Sequence, residues 1–175
     1  KMFIDMCGVS KAQSSVDYAM LEYCIREDLK MKKPRMMAVL DPIKLVIDNY
    51  PEDQVEYLDV ANNLEKAGSG FTGRKVKGTI HWVPAAYAQK AEVRLYENLI
   101  DEEKGVYNKE GGSLNLNPDS LKVIKDAYVE PSFEGAGAYD SFQFVRNGYF
   151  CIDAHDSAPD HLVFNRIVSL KSSFK

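Results

Sequence analysis

Phe142-Gln143-Phe144-Val145-Arg146-Asn147-Gly148-Tyr149-Phe150-Cys151 is the most telling stretch of this 175-residue chain. Aromatic runs flank Arg146-Asn147-Gly148-Tyr149, and an Asn-Gly pair in that setting is a strong hairpin signal, since both residues tolerate the positive φ of a tight turn. The same grammar recurs along most of the chain. Short apolar, β-branched and aromatic runs at Arg35–Leu40, Ile43–Ile47, Val76–Trp82, Ala91–Tyr96, Val123–Val129, Phe142–Arg146, Tyr149–Ile152 and Leu162–Leu170 read as strands. Turn signals part them: Asp41-Pro42, Lys109-Glu110-Gly111-Gly112, Asn117-Pro118-Asp119, Glu130-Pro131-Ser132 and Asn147-Gly148. Many short strands with regular turns predict an antiparallel β-barrel or sandwich.

The N-terminal part follows a different period. Val16, Ala19, Met20, Tyr23, Cys24 and Leu29 recur at helical spacing, and Ser14 or Ser15 suits an N-cap with Asp17 early in the helix. Lys30, Lys32 and Lys33 favour a helix C-terminus, and Pro34 stops the helix. The spacing predicts one helix over 15–30. Between Asp53 and Thr72 little pattern survives, and Asn62 to Gly70 reads as a loop or linker.

Composition narrows the class. The chain is 45% hydrophobic and 27% charged, which argues for a globular protein over a disordered or fibrous one. No apolar run suggests a membrane span, and the first residues lack the pattern of a signal peptide. Three cysteines, Cys7, Cys24 and Cys151, are odd in number and lack CxxC spacing, so a disulfide framework and a zinc knuckle are both disfavoured. The expectation is a cytoplasmic protein in a reducing compartment. A net charge of −4 excludes a uniformly basic coat but not a local basic site. Lys30-Met31-Lys32-Lys33-Pro34-Arg35 and Arg74-Lys75-Val76-Lys77 are the two clusters that could form one, although on composition alone a solvated loop is the preferred reading of each.

Catalytic signatures are missing from the sequence. It has no P-loop, no GxGxxG after a strand, no GxSxG and no HExxH. His81 sits beside Trp82 in an apolar run, His155 lies in a turn, and Cys24 and Cys151 occupy apolar settings, so none reads as a metal ligand or nucleophile. No catalytic or metal residue is expected. RNA binding is the better physical candidate. Gln143 and Arg146 lie three apart beside a hairpin tip, and an amide and a guanidinium can read the Watson–Crick edge of an unstacked base, although on these residues alone an exposed polar strand face is the simpler reading.

Several stretches together resemble one family, the glutaminyl-tRNA synthetases of class I. They are Tyr23 to Leu29 with Pro34 to Ile47, Gly73 to Val83, Phe142 to Cys151, and Val163 to Leu170, in family order across nearly the whole chain. Glutamyl enzymes with a β-barrel C-terminus share part of these motifs. The resemblance implies two tandem antiparallel β-barrels of a type also found in a ribosomal protein, gripping the anticodon loop, behind a helical segment that meets the inner elbow of tRNA. It implies a helical connection over 1–34, a proximal barrel from 35–82 with 155–175, and a distal barrel over 83–154. Arg35, Gln143 and Arg146 fall on family positions that contact the central anticodon uridine. Lys11 and Asp17 fall on positions facing the inner corner of the tRNA, and a neighbouring family glutamine is replaced here by Ala12.

The implied partners are tRNA(Gln) and the catalytic half of the same polypeptide, with no membrane and no DNA. ATP and magnesium serve that catalytic half, whose HIGH-like and KMSKS-like signatures this chain lacks, so no cofactor is expected here. Family members carry a longer stretch between the Asp48-Asn49-Tyr50 region and Gly73. Here Asn63 to Gly70 stands in its place, and a segment excised or otherwise missing from this sequence near 63–70 is preferred to natural shortening, because a barrel that had lost those strands would expose unpaired edges. The competing readings are a glutamyl-tRNA synthetase fragment and a free-standing β-barrel adaptor for protein or structured RNA.

Overall fold

The computed structural model describes residues 1–13, 15–51, 53–55, 77–78, 80–101, 103–133 and 135–171. Among them are two helices, α1 (Met2–Cys7) and α2 (Tyr18–Lys30). Seven strands follow: β1 (Arg35–Met36), β2 (Ala38–Val39), β3 (Gln89–Tyr96), β4 (Leu121–Val129), β5 (Ser141–Phe144), β6 (Gly148–Ile152) and β7 (Leu162–Ser169). The sheet order is β1-β5-β6-β7-β3-β4-β2.

That order places β1 and β2 at opposite edges, although only Met37 separates them in the chain. The segment 34–39 therefore laces the two edges together, and the sheet is nearly closed into a barrel. Backbone bonds show how. The carbonyls of Pro34 and Met36 accept from Gln143 and Val145 on one side, and that of Met37 accepts from Glu130 on the other. Closure satisfies edge groups that would otherwise remain unpaired. Four of the six ladders are antiparallel, as expected, while β1–β5 and β3–β7 are parallel.

Alternation fills the interior. Met36, Ala38, Ala91, Val93, Ala127 and Val129 turn inward from β1 to β4, leaving Glu92 and Arg94 on the other face of β3. Phe144 stacks on Phe150 with ring centroids 4.4 Å apart, and Phe164 meets Phe144 edge-on at 5.0 Å. Phe133, from the loop after β4, caps this group at 4.8 Å from Phe142. Burial of each ring contributes roughly 1.5–3 kcal/mol relative to exposure.

The hairpin forms where Asn147-Gly148 predicts it, with Phe144 opposite Gly148. Its loop differs from a two-residue turn. Val145, Arg146 and Asn147 make the connection, Arg146 takes φ 69°, and Asn147 Nδ2 donates to the Ala38 carbonyl at 3.0 Å. The predicted strand over Phe142–Arg146 therefore ends at Phe144.

Other boundaries also differ from the sequence reading. Asp17, not Ser15, caps α2, its Oδ1 accepting from the Ala19 N–H at 2.8 Å; Ser14 lies outside the described residues. Helix α1 is absent from the sequence reading. The run Ile43–Ile47 is not a strand: among the described residues nothing pairs with it, and Ile43, Leu45, Val46 and Ile47 are 64–91% exposed. High β-propensity does not make a strand without a neighbouring ladder. Residues 77, 78 and 80–82 carry no strand either. The expected proximal unit has its middle, 56–76, outside the described residues. Its C-terminal strand β7 lies in the described sheet between β6 and β3. No described helix is long and apolar enough to cross a membrane.

Candidate nucleic-acid interface

Helix α2 docks on the outside of the barrel through Leu29 and Ile25, which pack on Tyr149, Val168 and Ile167. The helical period sets that face, and it also sets a second one beside it. Tyr23, Arg26, Glu27 and Lys30 lie along one side of α2 and wall a cavity of about 280 Å³ completed by Arg35, Gln143, Tyr149 and Leu170.

The sheet brings two of the sequence-predicted residues into that cavity. Parallel pairing of β1 with β5 sets Arg35 in register with Gln143. Arg35 Nε donates to Gln143 Oε1 at 3.3 Å, across 108 residues of chain. The amide NH₂ of Gln143 is thereby turned away from Arg35. Tyr149, opposite Gln143 on β6, is 4% exposed, and burial pushes its phenol pKa up, with Arg35 opposing the shift and Glu27 adding to it. Those two opposed charges therefore both act on one phenol.

Arg146 takes another place. It stands in the β5–β6 turn and does not line the cavity. Its neighbour is His81, whose pKa is lowered first by burial and then by the Arg146 charge. His81 Nε2 is buried without a hydrogen-bond partner among the described residues. Lys11 is exposed in the connection between α1 and α2. Asp17 is exposed as well, its carboxylate engaged in the helix cap. The two lie at or before the N-terminal end of α2, whereas the cavity flanks its C-terminal half.

The α2 wall was hidden in the sequence because charged residues at a helix C-terminus usually face solvent. Arg26 does not: it is 6% exposed. Its Nη1 and Nη2 reach Glu22 Oε2 at 3.3 and 3.4 Å, and its Nε has no hydrogen-bond partner among the described residues. The spacing 23, 26, 27, 30 was the available signal, since those residues share one helical face. Elsewhere on the barrel, Arg94 joins Glu92 at 2.8 Å and Asp156 at 2.7 Å, and Asp153 accepts from Asn165 at 2.6 Å. That network ties β3, β7 and the turn after β6 together. Among the described residues no group of three or more His, Cys, Asp or Glu could hold a metal.

Two family models match the chain, each described as a class I (E and Q) tRNA synthetase anti-codon binding domain, over residues 33–100 and 79–153. Relatives include the glutamine–tRNA ligase of Clostridium perfringens, 38% identical over 99% of this chain and 44% of its own length. Those of Stutzerimonas stutzeri, at 37% over 98% of the chain, and Clostridioides difficile, at 36% over 99%, are similar. The chain thus spans about 44% of the length of these relatives. The first alignment extends over 248 positions against 175 residues here, so at least 73 positions within it face no residue of this chain. With both models and its relatives agreeing, the chain belongs to the anticodon-binding region of the class I glutamyl- and glutaminyl-tRNA synthetases, on the glutamine–tRNA ligase side.

Proposed function

We propose that this chain recognises the anticodon loop of tRNA(Gln) on behalf of a catalytic half in the same polypeptide. The observation that carries the reading is the Arg35–Gln143 pair, held in register by two distant strands in the wall of a nucleotide-sized cavity. A guanidinium and an amide fixed side by side present donors and an acceptor along one edge, which is what an unstacked uracil requires. Arg35 and Gln143 read the central anticodon uridine from the cavity, and Arg146 reaches the same nucleotide from outside it, at the hairpin tip. Lys11 and Asp17 meet the inner elbow, where a lysine supports binding through phosphate charge rather than sequence.

In the complete enzyme the catalytic half uses ATP and magnesium to join glutamine to the tRNA in the cytoplasm, and this chain contributes selectivity without a cofactor of its own. Binding of anticodon stem-loops to the wild-type chain at fixed salt tests this. Arg35→Ala and Gln143→Ala should each cost about 1–3 kcal/mol of discrimination at the central base. Lys11→Ala should weaken all stem-loops alike. An Arg35 or Gln143 variant that loses affinity equally for every central base would reduce that residue to a backbone contact.

A further inference from the structure

We propose that Arg26, on α2, is a further recognition residue of this cavity, taking a base carbonyl oxygen of the nucleotide that Arg35 and Gln143 engage from the sheet. The inference rests on the anticodon-binding reading above and adds a second wall to it. A guanidinium carries five N–H donors in a fixed fork, and burial makes each unpaired one costly. Arg26 is 6% exposed, yet among the described residues its only carboxylate partner is Glu22, reached by two long bonds to the same oxygen, and Nε has no hydrogen-bond partner there. The side chain also lines the cavity, so an acceptor entering there can share the guanidinium donors that Glu22 holds only weakly.

The rest of the lining agrees with an acceptor-rich guest. Arg26, Lys30 and Arg35 face a single carboxylate, Glu27, which holds Lys30 at 3.6 Å. Of the two oxygen sources on a nucleotide, a base carbonyl fits better than a phosphate. Glu22 already pairs with Arg26 and Glu27 with Lys30, so both cations are partly neutralised, and a neutral carbonyl takes a hydrogen bond there without setting a new anion near those carboxylates. At about 280 Å³ the cavity sits at the small end of ligand pockets, a volume that suits a single base. Uracil presents two carbonyls around one N–H. Cytosine replaces one carbonyl with an amine, which would set a donor against a donor.

The test uses the full 175-residue chain and anticodon stem-loops with uridine or cytidine at the central position. In the wild-type protein, the Arg26 Nε–H resonance should shift on adding the uridine stem-loop and remain in place with the cytidine one. Arg26→Lys keeps the charge and loses the fork; it should lower uridine-loop affinity about tenfold and cytidine-loop affinity far less. The loss should persist when the phosphates flanking the central nucleotide are made neutral methylphosphonates. An Arg26 resonance that stays fixed while the uridine loop binds overturns the proposal, as does equal loss for both loops, or loss that vanishes with neutral linkages. If the wild-type chain binds no stem-loop at all, the anticodon reading fails first and this inference falls with it. Because the resonance is read in unmutated protein, the outcome does not depend on whether the variant folds.

Discussion

At the scale of single residues, the hairpin shows how little freedom a turn has once it is packed. A Cβ on Gly148 would lie 2.7 Å from the backbone oxygen of Val168, and φ there is 157°. The obstacle is backbone in a neighbouring strand, which cannot swing aside as a side chain can. Gly148→Ala should therefore cost about 1–3 kcal/mol in chemical denaturation, and a neutral result would mean that β6 and β7 can separate locally. Two residues further back, Arg146 lowers the pKa of His81 across space. Arg146→Ala should raise that pKa toward 6.5 without reaching it, since burial remains the larger cause; NMR titration of the ring protons reports the shift. Asn147-Gly148 announced the turn from local chemistry alone. The partnership of Arg35 with Gln143, and of Arg146 with His81, could not be read that way, because long-range register rather than nearby sequence creates it.

Among the elements, α2 was legible in its period and illegible at its start. Ser14, Ser15 and Asp17 are all good capping residues, and the choice between them falls to where the helix must begin in order to seat Ile25 and Leu29 on the barrel. The cap gives a clean way to separate stability from recognition at Asp17. Asp17→Asn retains the oxygen that accepts from Ala19 and removes the charge, whereas Asp17→Ala removes both. The alanine variant should lose about 1 kcal/mol of stability and the asparagine variant only a few tenths, as read from thermal melts. If both bind tRNA like the wild type once melts are accounted for, the elbow contact assigned to Asp17 is wrong. Strands β3, β4, β6 and β7 were legible because each has both a suitable composition and a partner. Ile43–Ile47 has the first without the second among the described residues, and composition cannot reveal that difference.

For the molecule as a whole, closure and charge act together. Asp153 accepts from the backbone of Asp156 and His155 and from Asn165, and these bonds, aided by Arg94, hold its pKa down to about 2. A folded pKa below the unfolded one means that this stabilisation is complete above the ordinary carboxylate range, near pH ~4, and is lost as the pH falls to about 2. Asp153→Asn should therefore flatten the fall in melting temperature between those values relative to the wild type. An unchanged acid limb would assign the pH dependence elsewhere. The β class and the helical start were visible in the sequence, because period and turn chemistry are local. Near-closure of one sheet through residues 34–39 was not, because it depends on edges made by strands about ninety or more residues later.

That same lacing has a consequence for the time course of synthesis. The strand that joins the two edges emerges early, whereas its partner Phe144 follows about a hundred residues later. At translation speeds of about 5–20 residues per second, Met36 and Ala38 wait roughly 5–20 s for a place to go. The apolar face of α2 waits longer still, since Val168 follows Leu29 by about 140 residues. Neither can settle as it emerges. The barrel must form late and nearly all at once, when the newest strands reach back for the oldest.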